Sequence, residues 1–320
     1  DSMKIGFIGL GNVGGKLAGT LLRNGFDLTV RDLDPDLEYA FSDQGAHIGA
    51  SPAEIMRNVD LLITCLPSPA ASAAVMEGDD GVLQSMAPGK IWAEMSTTDA
   101  LEVSRLGQKV AAGGGEPIDC PVSGGCHRAA SGNISIFAGT ERATFEKVLP
   151  VLTTMGRRIL HTGPLGSAST LKVMTNYLAS VNLASLGEAL MTMHKVGIDL
   201  NTTFEAIRIS SGNSFVHETE SQVILNGSRN VNFTMDLVVK DLSLFQAIAD
   251  RADVPLEISP LLLKIFEDGQ DRYGGGEWST NIVRRLEDAC TDQLLAPGFP
   301  ADLVDEESEV VGQEVVANRS

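Results

Sequence analysis

A glycine-rich turn placed directly after a short apolar run fixes the first architecture this chain can adopt. Residues 4–9 (KIGFIG) read as a buried strand. Gly9-Leu10-Gly11-Asn12-Val13-Gly14 follows at once and opens a helix over residues 13–24 that stops at Gly25. Gly9 permits the tight turn, Gly11 lets a pyrophosphate approach the main chain, and Gly14 lets helix and strand pack closely. The first N–H groups of the helix and the positive end of its dipole then face the phosphates. A second strand at 28–31 ends at Asp32, 18 residues after Gly14. That is near the ~20 expected of the carboxylate that holds a ribose diol. A carboxylate there repels a 2′-phosphate, so the cofactor reads as NAD, with NADP less favoured. Arg31 beside it pulls the other way.

Further β-rich runs at 60–66, 90–96, 117–122, 133–139 and 158–161 alternate with helical patterns. One helix is announced by Ser51 as cap, Pro52 at its first position and Glu54 in its first turn. Alternation of this kind predicts an α/β fold with a Rossmann-type, doubly wound and mostly parallel sheet. After Gly163-Pro164 the pattern changes. Leu171, Met174, Leu178, Val181, Leu190 and Met193 recur at helical spacing over 165–196. This predicts one long interdomain helix of about 30 residues, more than twice the usual length. Helical patterns continue to about Cys290. The expected organisation is a dinucleotide-binding domain over 1–163, an all-α domain over 164–295 for substrate and dimerisation, and an acidic tail over 296–320. The tail, with its DLVDEESE run, reads as poorly ordered or as a partner-wrapping arm.

Composition narrows the function classes. The 320 residues carry 24 basic and 42 acidic side chains, a net charge of −18 that argues against nucleic acid or an anionic membrane as partner. With 43% hydrophobic and 21% charged residues, the chain is that of an ordinary globular enzyme. The four cysteines (65, 120, 126 and 290) form no CxxC pair and no metal-ligand spacing, so no metal is expected and a reducing cytoplasm is. No apolar run reaches the ~18 residues of a membrane helix, and no signal-peptide layout is expected. Asp1-Ser2 before Met3 reads as a tag scar.

Three more motifs carry chemistry. Asp119-Cys120-Pro121-Val122-Ser123-Gly124-Gly125 closes a strand, where ligands of open α/β sheets bind, and its loop can turn N–H groups and a hydroxyl onto a carboxylate. Gly166–Asn176 opens the long helix. Lys172 and Asn176 lie four apart there and share a face, offset from the apolar stripe. A lysine and an amide projected together can exchange a proton with a hydroxyl and orient it, although on spacing alone a solvated helix face is the better reading. Lys240-Asp241-Leu-Ser-Leu opens a later helix and on its own reads as an exposed pair.

Taken together, FIGLGNVG, DCPVSGG, GSASTLKVMTN and KDLSL resemble, in order and spacing over residues 3–290, the β-hydroxyacid dehydrogenases. That family includes 3-hydroxyisobutyrate dehydrogenase and shares ancestry with 6-phosphogluconate dehydrogenase. Val13 stands where the family usually has methionine. The resemblance implies that Lys172 is the catalytic lysine. It implies that Asn176 and the Ser123-Gly124-Gly125 loop hold the substrate's carboxylate and hydroxyl. Lys240 would stand at the nicotinamide end, with Leu66-Pro67 (TCLPS) and Ser96-Thr97 (EMSTTD) lining the cofactor. Cys126-His127-Arg128 follow the glycines where hydroxyisobutyrate enzymes often have small residues. An extra cation there could bind a second anionic group, unless His127 and Arg128 point to solvent.

The activity implied is transfer of a hydride between the hydroxyl-bearing carbon of a small 3-hydroxy acid and NAD, with Lys172 as general acid and base. A free lysine has a pKa of about 10.4, so burial or a cation such as Lys240 is needed to bring it toward neutrality. The alternatives are a reductase of a small carboxylated or sulfonated aldehyde (tartronate semialdehyde or sulfolactaldehyde type) and a catalytically silent dinucleotide-binding protein. Joint presence of Lys172, Asn176 and Lys240 argues against the silent one. A homodimer or homotetramer is expected.

Overall fold

The computed structural model describes residues 2–319. They divide into two compact units, one running up to Lys172 and resuming at Asp305, the other Val173–Val304. The division falls inside the long helix, beyond the Gly163 boundary read from sequence.

The first unit opens with β1 (Ile5–Ile8), α1 (Asn12–Arg23) and β2 (Leu28–Arg31), then α2 (Pro35–Ser42), β3 (His47–Ile48), α3 (Pro52–Asn58) and β4 (Leu61–Thr64). It continues through α4 (Pro69–Glu77), β5 (Ile91–Glu94), α5 (Ala100–Ala112), β6 (Glu116–Asp119), β7 (Val122–Ser123), α6 (Cys126–Ala130), β8 (Ile134–Gly139), α7 (Arg142–Met155) and β9 (Gly156–Gly163). Several helices start as their sequences dictate. Asp34, Ser51 and Ser68 each accept a main-chain N–H of the first turn, and each precedes a proline at the first helical position.

The strand order β9-β8-β6-β5-β4-β1-β2-β3 confirms the doubly wound sheet. It is parallel from β3 to β6, reverses at β8, and returns to parallel between β8 and β9. The run predicted at 117–122 is two short strands, with β7 pairing antiparallel to β8. Side chains alternate faces along each strand. Ile5, Phe7, Leu61, Ile63, Ile91 and Ala93 enter one core with α1. Ile8, Leu62 and Trp92 enter the other with α3 and α5. Both faces are therefore covered, which explains why β1, β4 and β5 are apolar throughout.

The long helix, α8, is Ser167–Lys195, 29 residues. Its buried side carries Val173, Leu183, Leu186 and Leu190, whereas Leu178 of the predicted stripe is exposed. Alanine, leucine and methionine lie all round this helix, so spacing alone could not set the phase. α9 (Leu200–Arg208), α10 (Phe215–Asn226), α11 (Met235–Arg251), α12 (Ile258–Tyr273) and α13 (Arg284–Cys290) complete the second unit around Leu190, Phe204, Ile224, Met235, Leu242 and Phe266. No helix among the described residues is long and apolar enough to cross a membrane.

The end of the chain differs most from the expectation. From Asp305 it rejoins the first unit, and β10 (Gln313–Val315) adds to the sheet parallel to β9. Asp305 accepts from the Ser131 hydroxyl and from Asn133 Nδ2 (2.8 Å). Glu307 pairs with Arg157 at 3.0 Å, Glu309 with Arg23 at 2.7 Å and Glu314 with Arg142 at 2.5 Å. A Cβ at Gly312 would stand 1.9 Å from the Gly156 carbonyl oxygen, so the arm lies hard against the sheet edge. The acidic run looks unstructured in isolation because its basic and amide partners lie far back in the sequence.

Candidate active site

Each glycine of the first motif does separate work. Gly9 has φ 103°, and a Cβ there would lie 2.1 Å from the Cys65 carbonyl oxygen. A Cβ at Gly14 would lie 2.2 Å from the Gly9 carbonyl oxygen. Around Gly11 nothing stands within 4 Å of that point, which leaves room for a phosphate against the main chain. Gly11 caps α1 with no side-chain acceptor, so the first-turn N–H groups remain open to an anion. Asn12 and Val13 begin that turn. At the end of β2, Asp32 accepts from the Leu10 N–H (2.7 Å) and the Asp34 N–H (2.9 Å), which pins the loop to the strand. Arg31 donates instead to the Ala50 (2.8 Å) and Gly49 (3.3 Å) carbonyls. These residues fit a nicotinamide dinucleotide.

The carboxyl ends of β4, β5 and β6 stand in register, Thr64 beside Glu94 and Glu94 beside Asp119. Trp92 Nε1 donates to Thr64 Oγ1 at 2.9 Å. Glu94 Oε1 accepts from Thr64 Oγ1 (3.1 Å) and the Ser96 N–H (3.0 Å), and Ser96 Oγ accepts from the Leu66 N–H (2.7 Å). Glu94 thereby ties the Leu66-Pro67 turn to Ser96-Thr97. Burial pushes its carboxyl above the usual 4.5, and the Ser96 and Thr64 donors oppose that rise.

Asp119 is fully buried. Its Oδ1 accepts from the Gly166 N–H (2.9 Å), and its Oδ2 accepts from the Ser169 N–H (2.7 Å) and hydroxyl (2.8 Å). Burial raises this carboxyl too, against those donors. Lys172 stands one turn beyond Ser169 and is 7% exposed, so it does not lie on a solvated helix face. On the other side of Asp119 the chain passes through Cys120-Pro121 into Val122, Ser123, Gly124 and Gly125. Gly124 (φ 131°) and Gly125 (φ 92°) hold conformations that side chains rarely adopt. A Cβ at Gly124 would meet Arg128 Cδ at 3.3 Å, and one at Gly125 would meet the His127 ring at 2.9 Å. Both side chains therefore fold back over the loop. Burial, followed by the Arg128 charge, lowers the His127 pKa.

In the second unit, Asn176 Nδ2 donates to Asp241 Oδ2 at 2.5 Å, and Lys240 Nζ lies 3.6 Å from Asp241 Oδ1. Asp241 is 2% exposed. The fold thus brings Asn176 and Lys240 together through Asp241. Within the first unit it links the glycine loop to Asp32, Leu66 to Ser96, and the Ser123 loop to the start of α8. Sequence reasoning assigned no role to Glu94, Asp119 or Asp241. The available signal was a lone acid closing an apolar strand, or next to a lysine on an amphipathic helix.

Residues 4–163 match the NAD binding domain of 6-phosphogluconate dehydrogenase, and residues 166–286 match the family described as the NAD-binding region of NADP-dependent 3-hydroxyisobutyrate dehydrogenase. The chain is 34% identical to 2-(hydroxymethyl)glutarate dehydrogenase of Eubacterium barkeri, over 88% of this chain and 94% of that one. It is 30% identical to the mitochondrial 3-hydroxyisobutyrate dehydrogenase of Rattus norvegicus, over 82% and 80%. The crystal structure of 3-hydroxyisobutyrate dehydrogenase from Salmonella typhimurium superposes with a TM-score of 0.81 at 27% identity, covering 89% of this chain and all of that one. The dinucleotide loop, the strand-end loops and these likenesses agree, and the chain belongs to the β-hydroxyacid dehydrogenase family of nicotinamide-dependent oxidoreductases that act on CH–OH groups.

Proposed function

We propose that this enzyme oxidises a small 3-hydroxy acid, 3-hydroxyisobutyrate or a close analogue, with NAD as acceptor and Lys172 as the proton-transfer residue. The observation that carries the reading is the placement of Lys172. It is buried one turn inside α8, and Asp119 holds the start of that helix from the same strand that leads into Ser123-Gly124-Gly125. The named activities of the relatives support the substrate class.

The nicotinamide supplies the hydride chemistry, and the protein supplies alignment and proton transfer. Gly11 and the first turn of α1 receive the pyrophosphate, and Asp32 receives the ribose diol. Ser123 and the N–H groups beside it bind the substrate carboxylate, and Asn176 orients its hydroxyl. Lys172 Nζ takes the hydroxyl proton in oxidation and returns it in reduction. Lys240 is assigned to cofactor binding in this reading. Arg31 is committed to main-chain carbonyls, which supports NAD over NADP. We infer a homodimer or homotetramer, because the second unit exposes Leu178, Ile209, Ile258 and Leu261.

A panel of 3-hydroxy acids (hydroxyisobutyrate, serine, glycerate, 3-hydroxypropionate and 2-(hydroxymethyl)glutarate) assayed with NAD⁺ and NADP⁺ tests this reading. Highest kcat/KM on a 3-hydroxy acid with NAD⁺ supports it. No turnover on any of them in either direction contradicts it.

A further inference from the structure

Two buried carboxylates stand side by side at the carboxyl ends of β5 and β6, Glu94 and Asp119, paired in register. Neither faces solvent, Glu94 being 1% exposed and Asp119 0%. They hold different things. The donors to Glu94 come from Thr64 and Ser96, on the cofactor loops. All three donors to Asp119 come from the first residues of α8 and the turn before it.

We propose that Asp119 is a positioning residue for proton transfer: its carboxylate clamps the start of α8 and so sets where Lys172 stands relative to the Ser123-Gly124-Gly125 loop. The inference rests on the reading of Lys172 given above and adds the residue through which that lysine is placed.

The geometry has the properties such a clamp needs. Oδ1 and Oδ2 each accept from a different residue, Gly166 and Ser169, so the carboxylate fixes two points and cannot swivel. The three distances lie between 2.7 and 2.9 Å, the range of charge-assisted hydrogen bonds. The N–H groups at a helix start have no partners within the helix, so without Asp119 both would be buried and unsatisfied. Asp119 is also the last residue of β6, and only Cys120, Pro121 and Val122 separate it from Ser123. Gly139 faces it across the sheet, and a Cβ there would stand 2.4 Å from Asp119 Oδ1, so the neighbouring strand leaves space for this carboxylate and for little else. One side chain therefore links the substrate loop, by covalent continuity, to the helix that carries the lysine, by hydrogen bonds. Glutamate would push the helix away by a methylene. Asparagine would turn an N–H toward either the Gly166 or the Ser169 N–H, leaving one donor without an acceptor.

The test compares Asp119→Asn, Ser169→Ala, Glu94→Gln and Lys172→Ala in the full-length enzyme. NAD⁺ affinity is read by fluorescence titration, kcat and KM by steady-state kinetics, and proton transfer by the solvent deuterium isotope effect on kcat. A misplaced lysine costs rate in the step it performs, and a displacement of about 1 Å can cost on the order of 10²-fold. Asp119→Asn is expected to lower kcat by about that factor, to raise the solvent isotope effect, and to leave NAD⁺ affinity within about twofold. Ser169→Ala removes one donor and keeps the main-chain N–H, so it should move kcat in the same direction by a smaller factor. It also keeps the test decisive if Asp119→Asn does not fold. Glu94→Gln should do the opposite and weaken NAD⁺ binding more than it slows proton transfer. Wild-type kcat and isotope effect in both Asp119→Asn and Ser169→Ala would overturn the inference. So would a fall of kcat and NAD⁺ affinity by equal factors in Asp119→Asn, which is the mark of a merely structural residue. Near-normal turnover of Lys172→Ala would instead remove the proposed proton-transfer residue, and the role of Asp119 with it.

Discussion

Asn176 reaches 65 residues along the chain to give Asp241 a hydrogen bond of 2.5 Å. The pair fixes the amide of a side chain that would otherwise rotate freely, and Lys240 approaches the same carboxylate at 3.6 Å. Asn176→Ala is expected to raise KM for the hydroxy acid and lower kcat together. Asp241→Asn should reproduce that direction, because a hydrogen bond to a charged group contributes about 1.5–3 kcal/mol, on the order of 10–100-fold. Steady-state kinetics on both variants, with NAD⁺ affinity as reference, check this. An Asp241→Asn enzyme with unchanged KM and kcat would show that Asn176 needs no support.

Asp32 holds the Leu10 N–H, and in the proposed function it also meets the ribose diol. Asp32→Ser should erode the preference for NAD⁺ over NADP⁺ by roughly tenfold or more, the value of about 1.4 kcal/mol. It should also weaken binding of both cofactors, because the loop loses its anchor. The ratio of kcat/KM values for the two cofactors measures the first effect. A wild-type enzyme faster with subsaturating NADP⁺ would give the assignment to Arg31 instead.

Removal of residues 305–320 should destabilise the first unit. Asn133 is 1% exposed and donates to both Asp305 and the Glu307 carbonyl, so truncation removes both hydrogen bonds, at about 0.5–3 kcal/mol. For a domain of this size each 1 kcal/mol shifts Tm by roughly 2–4 °C. The arm should also respond to acid. Hydrogen bonds from Arg142 hold the Glu314 carboxyl below its usual 4.5. A carboxyl depressed in the folded state stabilises above its unfolded pKa and loses that contribution as pH falls through the folded one. The Tm difference between full-length and truncated protein should therefore shrink below about pH 4.5 and stay constant across the neutral range. An unchanged Tm on truncation at neutral pH would contradict the role of the arm.

Light scattering at several concentrations should give the mass of a dimer or tetramer. A monomer mass that does not depend on concentration would leave the exposed Leu178, Ile209, Ile258 and Leu261 without the cover inferred for them.

What the sequence made legible is what it encodes locally. The glycine loop, the strand before it and Asp32 lie within one short βαβ segment, and their spacing alone carries the geometry. Lys172 and Asn176 share a face because four residues make about one helical turn. Glu94 and Asp119 were invisible as anchors because their partners come from other strands and from the start of α8, a relationship that exists only once the sheet has formed. The same is true of the arm, whose acids pair with Arg23, Arg142 and Arg157. The phase of α8 is hidden in the sequence for a different reason. Its apolar residues surround it, so burial is decided by tertiary packing and leaves Leu178 outside while Leu183 and Leu190 go in.

Turnover of Lys172→Ala at saturating NAD⁺ and hydroxy acid decides whether Lys172 moves the proton. The expected result is a loss of roughly 10²–10⁴-fold in kcat, the usual share of general acid–base catalysis, with NAD⁺ affinity little changed. Lys172→Arg should give no rescue, because its guanidinium stays protonated. Near-normal kcat with a normal pH profile in Lys172→Ala would contradict it and move the proton transfer to another group, with His127 and Lys240 the next to replace.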